Sequence, residues 1–557
     1  MIGAPVSRRI VLAGATATVV GSGTCLGSSP PGSLTVANLQ GACGLLVDDD
    51  IESLHVEAFA QQDDGGAATY LRTPARPEHP GRLQTADGAW WVLADRVVTP
   101  QMFGAIADGR HDCRKSVTDA IATAAALGRP MRPSRGEYRL SADTVEAWCL
   151  SIPSNAILDL QEGPVFKAED QLSSWKRVVS MTHASDVRIH GTLKVDGNVG
   201  NIASDNNEHM HGVFIFDCTN LVVDAIEAHN CRGDNVFIGG TEDSVGSANI
   251  KIGSIRASVA GRKNLVLGNC CEVNIDSAWL DNREGGARLH GGAPGDTDGH
   301  CLDVEPDEFS GRVENGASIN RLTCFGSGLD FSAGVSAAAA DAWTLHIGEL
   351  LASISPRSGV PAWLQYGITI IARRIVLTGL DGTDAQSCVL YSGRLAVEDF
   401  TIGGGRPRDA ILLISQVGGH QPKVRFGRCI IVNTALAGVG IENRDSNLGI
   451  GNYTPTTSSI ALWNRGLSSD RALTTVTRIE VATLDAVGDP RGLGYAMLST
   501  KNGAITPRLV IGHIRHRDSR RPPIHHVLHF GPEAAAGGDV GQFESASGIP
   551  LLGTSAT

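Results

Sequence analysis

The chain has 557 residues, 42% of them hydrophobic and 19% charged, which is long enough for several ordinary domains or one elongated repeat domain. With 67 Gly and only 5% aromatic residues it reads as turn-rich and poor in long helices. A formal net charge of −12, with no basic run, argues against nucleic acid as a partner and gives no support for an anionic membrane surface.

The first segment, SRRIVLAGATATVV (Ser7 to Val20), pairs Arg8 and Arg9 with a weakly apolar run. It resembles a twin-arginine export signal, here assigned to residues 1–28, and is too short to insert across a bilayer as a helix. It implies a periplasmic or secreted protein that folds before export. The twelve cysteines form neither a CxxC pair nor a His-spaced pattern, so no structural zinc is expected. An oxidising compartment permits disulfides, but the spacing specifies no pairing.

Residues 29–97 form a leader module. After it, Ser116 to Gly128 (SVTDAIATAAALG) places Val117, Ile121, Ala124 and Ala125 on one helical face before a Gly stop. This helix, near 116–128, is expected to cap the open end of a strand-rich column downstream.

From Gly191 the chain repeats a theme: a short apolar strand, a Gly or Asn corner, and a second strand. The first strands are GVFIFD (from Gly212), NVFIGG (Asn235), NLVLGN (Asn264), CLDVEP (Cys301) and LDFSAG (Leu329). Their partners begin at Asn220, Ala248, Cys271, Ala317 and Trp343, and similar strands recur to Arg508. No set of helix-period segments interrupts them, so the fold class is all-β, with parallel strands stacked coil upon coil as a solenoid over residues 98–530. Residues 531–557, rich in small residues, read as a loosely ordered tail.

The entrance segment Val98 to Leu140 carries Phe103, Gly104, Ala105, Asp108, Gly109, Asp112, Ala120, Ile121, Pro133, Gly136 and Tyr138. In these it resembles the entrance pattern of the pectate-lyase-like superfamily, departing at Cys113 and Arg114. The segment Gln61 to Arg96 resembles the leader of tailspike-like proteins. The resemblance implies a right-handed single-stranded parallel β-helix, a polysaccharide partner, and an assembly that can be a homotrimer. It does not choose among lyases, hydrolases, epimerases and non-catalytic adhesins. The N-T-D, D-D, G-H-G and R-I-K set of polygalacturonases is absent, as is the D-P-H-E motif of alginate epimerases.

Alignment of the first strands stacks Val236, Leu265, Leu302 and Leu329 inward, and Ile238, Leu267, Val304 and Phe331 in the next inward row. Phe237, Val266, Asp303 and Asp330 then project outward in one row, with Glu305 on the same face about 6.5 to 7 Å from Asp303. Paired carboxylates at such separations suit glycosidic hydrolysis, with like charges pushing one pKa up. The candidate catalytic residues are therefore Asp303, Glu305, Asp330 and Asp234. Phe214 and Phe237 are expected to stack on sugar rings, Arg262 and Lys263 to clamp substrate, and His211 and His300 to line the site.

Two alternatives use the same residues. In a lyase acting by β-elimination on a uronate polymer, Arg262 or Lys263 would be the base, and Asp303, Glu305 and Asp307 could hold calcium. In a non-catalytic carbohydrate-binding β-helix the acids would hold calcium or water. No metal or cofactor is required by the favoured hydrolytic reading.

Overall fold

The computed structural model describes residues 32–402 except 173–174, 203–208, 242–245, 286–299, 307–315, 327, 333–342, 355–362, 380–385 and 391–392, and the strands beyond residue 402. The chain is a parallel β-helix preceded by a small sheet. One sheet of 15 strands runs from Trp148–Ser151 to Leu552–Thr554; a second of 18 strands is built chiefly of the longer strands that alternate with these along the chain. Each coil thus contributes one strand of three to six residues and one of about ten.

The long strands bend in the middle, which gives the coil a third side. In Thr219–His229 the buried positions are Leu221 and Val223, then Ile226 and Ala228, a spacing of three where strict alternation would give two. The same break separates Ile250 and Ile252 from Ile255 and Ala257. Gly253 stands at one bend, where a Cβ would lie 2.5 Å from the Asp224 carbonyl oxygen of the coil before. The first full coil shows the two halves separately, because Ile157–Leu160 and Val165–Ala168 pair with opposite ends of Arg188–Asp196.

Apolar residues stack coil upon coil. Leu221, Ile250, Val273, Ala317, Leu345, Ile370, Leu395 and Val424 occupy one register column. Val213, Val236, Leu265, Leu302, Leu329 and Trp363 occupy another, all fully buried. The column is thin, so every rung is core for its neighbours and a lost rung would be felt by both.

The helix spans Arg114–Leu127, ends on Gly128 in the left-handed region (φ 61°), and buries Val117, Ala120, Ile121 and Ala124 against the first strands of the β-helix. Ahead of it, Ser33–Val36, Ser53–Val56, Ala68–Thr73, Trp90–Leu93 and Arg82–Gln84 form a five-stranded sheet around Trp91, Tyr70 and Leu54. Arg129 ties that sheet to the helix end by donating to the carbonyls of Leu93 and Asp95 at 3.0 and 2.7 Å.

The terminal segment differs from the loose tail expected of it. Gly538–Ser545 pairs with Arg508–Arg517, and Leu552–Thr554 pairs with Leu528–Phe530, so coil pairing reaches Thr554. Small residues conceal the pattern: Gly538, Val540 and Phe543 take the register positions of Leu509, Ile511 and Ile514. The eleven described cysteines are free thiols, and the nine buried ones serve as filling.

Candidate active site on the short-strand sheet

The outward row is the expected one. Phe214, Phe237, Val266, Asp303 and Asp330 stand opposite one another on successive strands, so neighbouring members are about 4.8 Å apart. Two residues along, the same outward side carries Phe216, Gly239, Gly268 and Glu305, with Phe216 opposite Gly239. Both glycines are buried, and the Phe237 ring packs against them. A Cβ on Gly268 would meet only ordinary contacts at 3.6 Å or more, whereas one on Gly239 would strike the Phe237 ring at 2.7 Å.

At the corner just before these strands a second row forms. His211, Asp234, Lys263 and His300 each lie two residues ahead of a column residue, and backbone bonds across the corner hold them in step. His211 Nδ1 lies 3.1 Å from Asp234 Oδ2, and the Lys263 backbone N–H donates to Asp234 Oδ1 at 3.1 Å. Lys263 Nζ sits 3.1 Å from His300 Nδ1 and 3.5 Å from Asp303 Oδ2. Arg262 places guanidinium nitrogens 3.6 Å from Asp234 and 3.9 Å from Glu305. A protonated Lys263 donates to His300 Nδ1, which fixes the neutral imidazole with its proton on Nε2.

Burial separates these groups into two sets. Asp234, His211, His300, Lys263, Arg262 and Asp303 are buried, while Asp330 is half-buried and the Glu305 side chain remains 41% exposed. Several assignments from sequence are corrected accordingly. Arg262 and Lys263 are not open clamps, because they neutralise the buried carboxylates Asp234 and Asp303. His211 and His300 do not line an accessible surface, because each is packed into the same charge row.

Phe214, 8% exposed, does not offer an open ring either. The Arg177 guanidinium lies 4.3 Å from its centroid, and the rings of His211, Phe216 and Phe237 lie 5.1 to 5.4 Å away. Phe237 is half-buried, as is Phe216, which the sequence pattern did not single out. Asp307, the third calcium candidate, lies outside the described residues.

The acids respond to these surroundings in opposite directions. Burial opposes ionisation of Asp234, but Arg262, the His211 hydrogen bond and Lys263 outweigh it and hold the carboxyl below its ordinary value. For Asp303, burial prevails over Lys263 and Arg262, aided by the charge of Asp330, and lifts it to about 6. Burial and then the Asp303 charge push Glu305 up to about 8. At neutral pH Glu305 is thus predominantly protonated beside a mostly ionised Asp303, the divergence that general acid–base chemistry requires.

Arg177, Gly239 and Gly268 complete the site and were missed from sequence. The glycines carried a signal, since each stands two residues after an outward member of the row. Arg177 lies in the strand Arg177–Thr182, ahead of the first repeat recognised from sequence.

No protein-family model matches the chain, and no curated protein matches it. Solved structures do. The mannuronan C-5 epimerase A-module of Azotobacter vinelandii is 14% identical, covering 82% of this chain and 100% of that one with a TM-score of 0.36. The pre-mature gene product 12 of bacteriophage phi29 is 12% identical over 82% of this chain and 72% of that one, with a TM-score of 0.41. A tailspike of the Acinetobacter baumannii bacteriophage Fri1, a capsular polysaccharide depolymerase, is 11% identical over 94% and 76%, with a TM-score of 0.34. At these identities and TM-scores the likeness says nothing of chemistry.

Proposed function

We propose that this protein is an exported enzyme that hydrolyses glycosidic bonds in a polysaccharide bound across the coils of the short-strand sheet. The observation that carries the proposal is the geometry of three acids: an accessible Glu305 two residues along from the buried Asp303, with the half-buried Asp330 opposite Asp303 on the next coil. Glu305 is the general acid, giving its proton to the leaving-group oxygen. Asp330, half-buried, is the base that activates water.

Asp303 is too enclosed to reach a sugar and acts through Glu305, whose proton its charge helps to retain. Combining strand rise and spacing puts Glu305 and Asp330 diagonally about 8 Å apart at the backbone, and an inverting mechanism would need their carboxyl groups about 6.5 to 9.5 Å apart. Phe216 and Phe237, both half-buried, offer the ring faces on which a pyranose would stack.

The lyase reading is weaker because Lys263 and Arg262, its base candidates, are buried against acids. The ammonium already beside Asp303 and the proton on Glu305 also make poor company for calcium. A non-catalytic binding role draws support from one observation, the self-paired burial of the corner row, which is what a purely structural charge network would show.

The test is a panel of acidic and neutral polysaccharides incubated with the full chain, read for reducing ends and for the ultraviolet absorbance of an unsaturated uronate. Hydrolysis predicts reducing ends without that absorbance; the absorbance would assign a lyase. Binding without either product would assign the non-catalytic role.

A further inference from the structure

The long-strand sheet carries a second groove, of about 440 Å³, on a different side of the coil from the carboxylate row. Its floor is a register row in which Arg188 stands opposite Val222 and Val222 opposite Lys251. All three are exposed, Val222 at 44%. The two cations are thus two strand spacings apart, about 9 to 10 Å.

Its rim is a ladder of side chains two residues earlier in each coil. Asn220 Nδ2 donates to Asp186 Oδ1 at 3.2 Å, and Asn249 Nδ2 donates to Asn220 Oδ1 at 2.7 Å. This leaves the second amide N–H of each Asn and the Asn249 carbonyl without a partner among the described residues, and it engages the one acid lining the groove.

Cations on this sheet fall into a paired and an unpaired set, and Arg321, Arg373, Arg394 and Arg425 have no ion-pair partner among the described residues either. Arg132 pairs with Asp159, Lys167 with Glu137, Arg374 with Glu349 and Arg428 with Asp399, all across adjacent coils at 3.1 Å or less. Among the described residues neither Arg188 nor Lys251 has an ion-pair partner, although the chain carries 59 acids against 47 Lys and Arg. The position between them, where a pairing acid would be expected, is held by Val222.

We propose that this groove is a non-catalytic binding site for an acidic polysaccharide, seating carboxylates on Arg188 and Lys251 and the hydrocarbon face of the intervening sugar on Val222. The Asn amides hydrogen-bond the ring hydroxyls. Unpaired cations separated by an apolar contact suit a chain whose anionic groups recur with a sugar ring between them, and the overall acidity disfavours nucleic acid. The inference stands on charge and geometry and does not depend on cleavage at Glu305.

The experiment is calorimetric titration of the full chain with tetragalacturonate and, for comparison, maltotetraose, at low and raised salt. The proteins are the parent, a Glu305→Gln/Asp330→Asn variant, and an Arg188→Gln/Lys251→Gln variant whose exposed substitutions leave the core intact. The proposal expects the acidic oligomer to bind the first two alike, to weaken with salt, and to bind the third about tenfold or more weakly. It is overturned if the groove variant binds as the parent does, if the neutral oligomer binds equally well, or if no acidic oligomer binds at low salt.

Discussion

Charges on the two sheets obey one register rule and meet different fates. On the long-strand sheet, Arg374–Glu349 and Arg428–Asp399 bridge adjacent coils at 2.6 and 2.8 Å while remaining largely in solvent. On the short-strand side, Lys263–Asp303 and His211–Asp234 bridge coils too, but all four side chains are at most 5% exposed. Water screens the first set into near-neutral decoration. Its exclusion from the second makes each partner indispensable to the other and drives the two carboxyls apart, Asp234 below its ordinary value and Asp303 above it.

The largest predicted contrast is in stability. Lys263→Met strands Asp303 without its cation and should cost about 3 to 5 kcal/mol in urea unfolding above pH 6. The loss should shrink below that pH, where Asp303 is neutral. Equal losses across the pH range would show that packing of the lysine stem, not charge, sets the cost.

The next is a pH slope. Asp303 and Glu305 have folded pKa values near 6 and 8, above their ordinary 3.8 and 4.5, so the folded state holds more protons than the unfolded. These two groups therefore favour folding at low pH and withdraw that support as pH rises from about 4 to 8. Glu305→Gln should flatten the upper half of this decline; an unchanged slope in the variant would remove Glu305 from the account.

Smaller still is the effect of crowding the Phe237 ring. Gly268→Val places its Cβ without a clash, 3.6 Å from the Phe237 ring on which a sugar would stack, so KM should rise roughly tenfold with kcat little changed. A parallel fall in kcat and stability would mean that the glycine serves folding. Least of all, Arg374→Gln should change stability by under about 1 kcal/mol, and a larger loss would erase the distinction between the two sheets.

Much of this architecture was legible in the chain. Alternation at Leu302 and Val304 around Asp303 sufficed to place the carboxylate opposite Asp330, because period-two strands stacked in register leave one solution. Burial was not legible. Whether Arg262 and Lys263 face solvent or Asp234 and Asp303 depends on packing between coils that no single strand encodes, and Phe214 lost its open face to Arg177, a residue outside the recognised repeat. The last coils were hidden because Gly538 takes a register position that Leu509 fills in the preceding coil.

The central claim is that Glu305 is the protonated group that departs from its ordinary ionisation to cleave a sugar chain. Its most direct test compares reducing-end release by the parent and by Glu305→Gln on whichever polysaccharide the parent degrades. The expected result is a fold kept intact, turnover reduced about a hundredfold or more, and loss of the parent's fall in kcat above about pH 8. Turnover that survives in the variant with the parent's pH profile would contradict it.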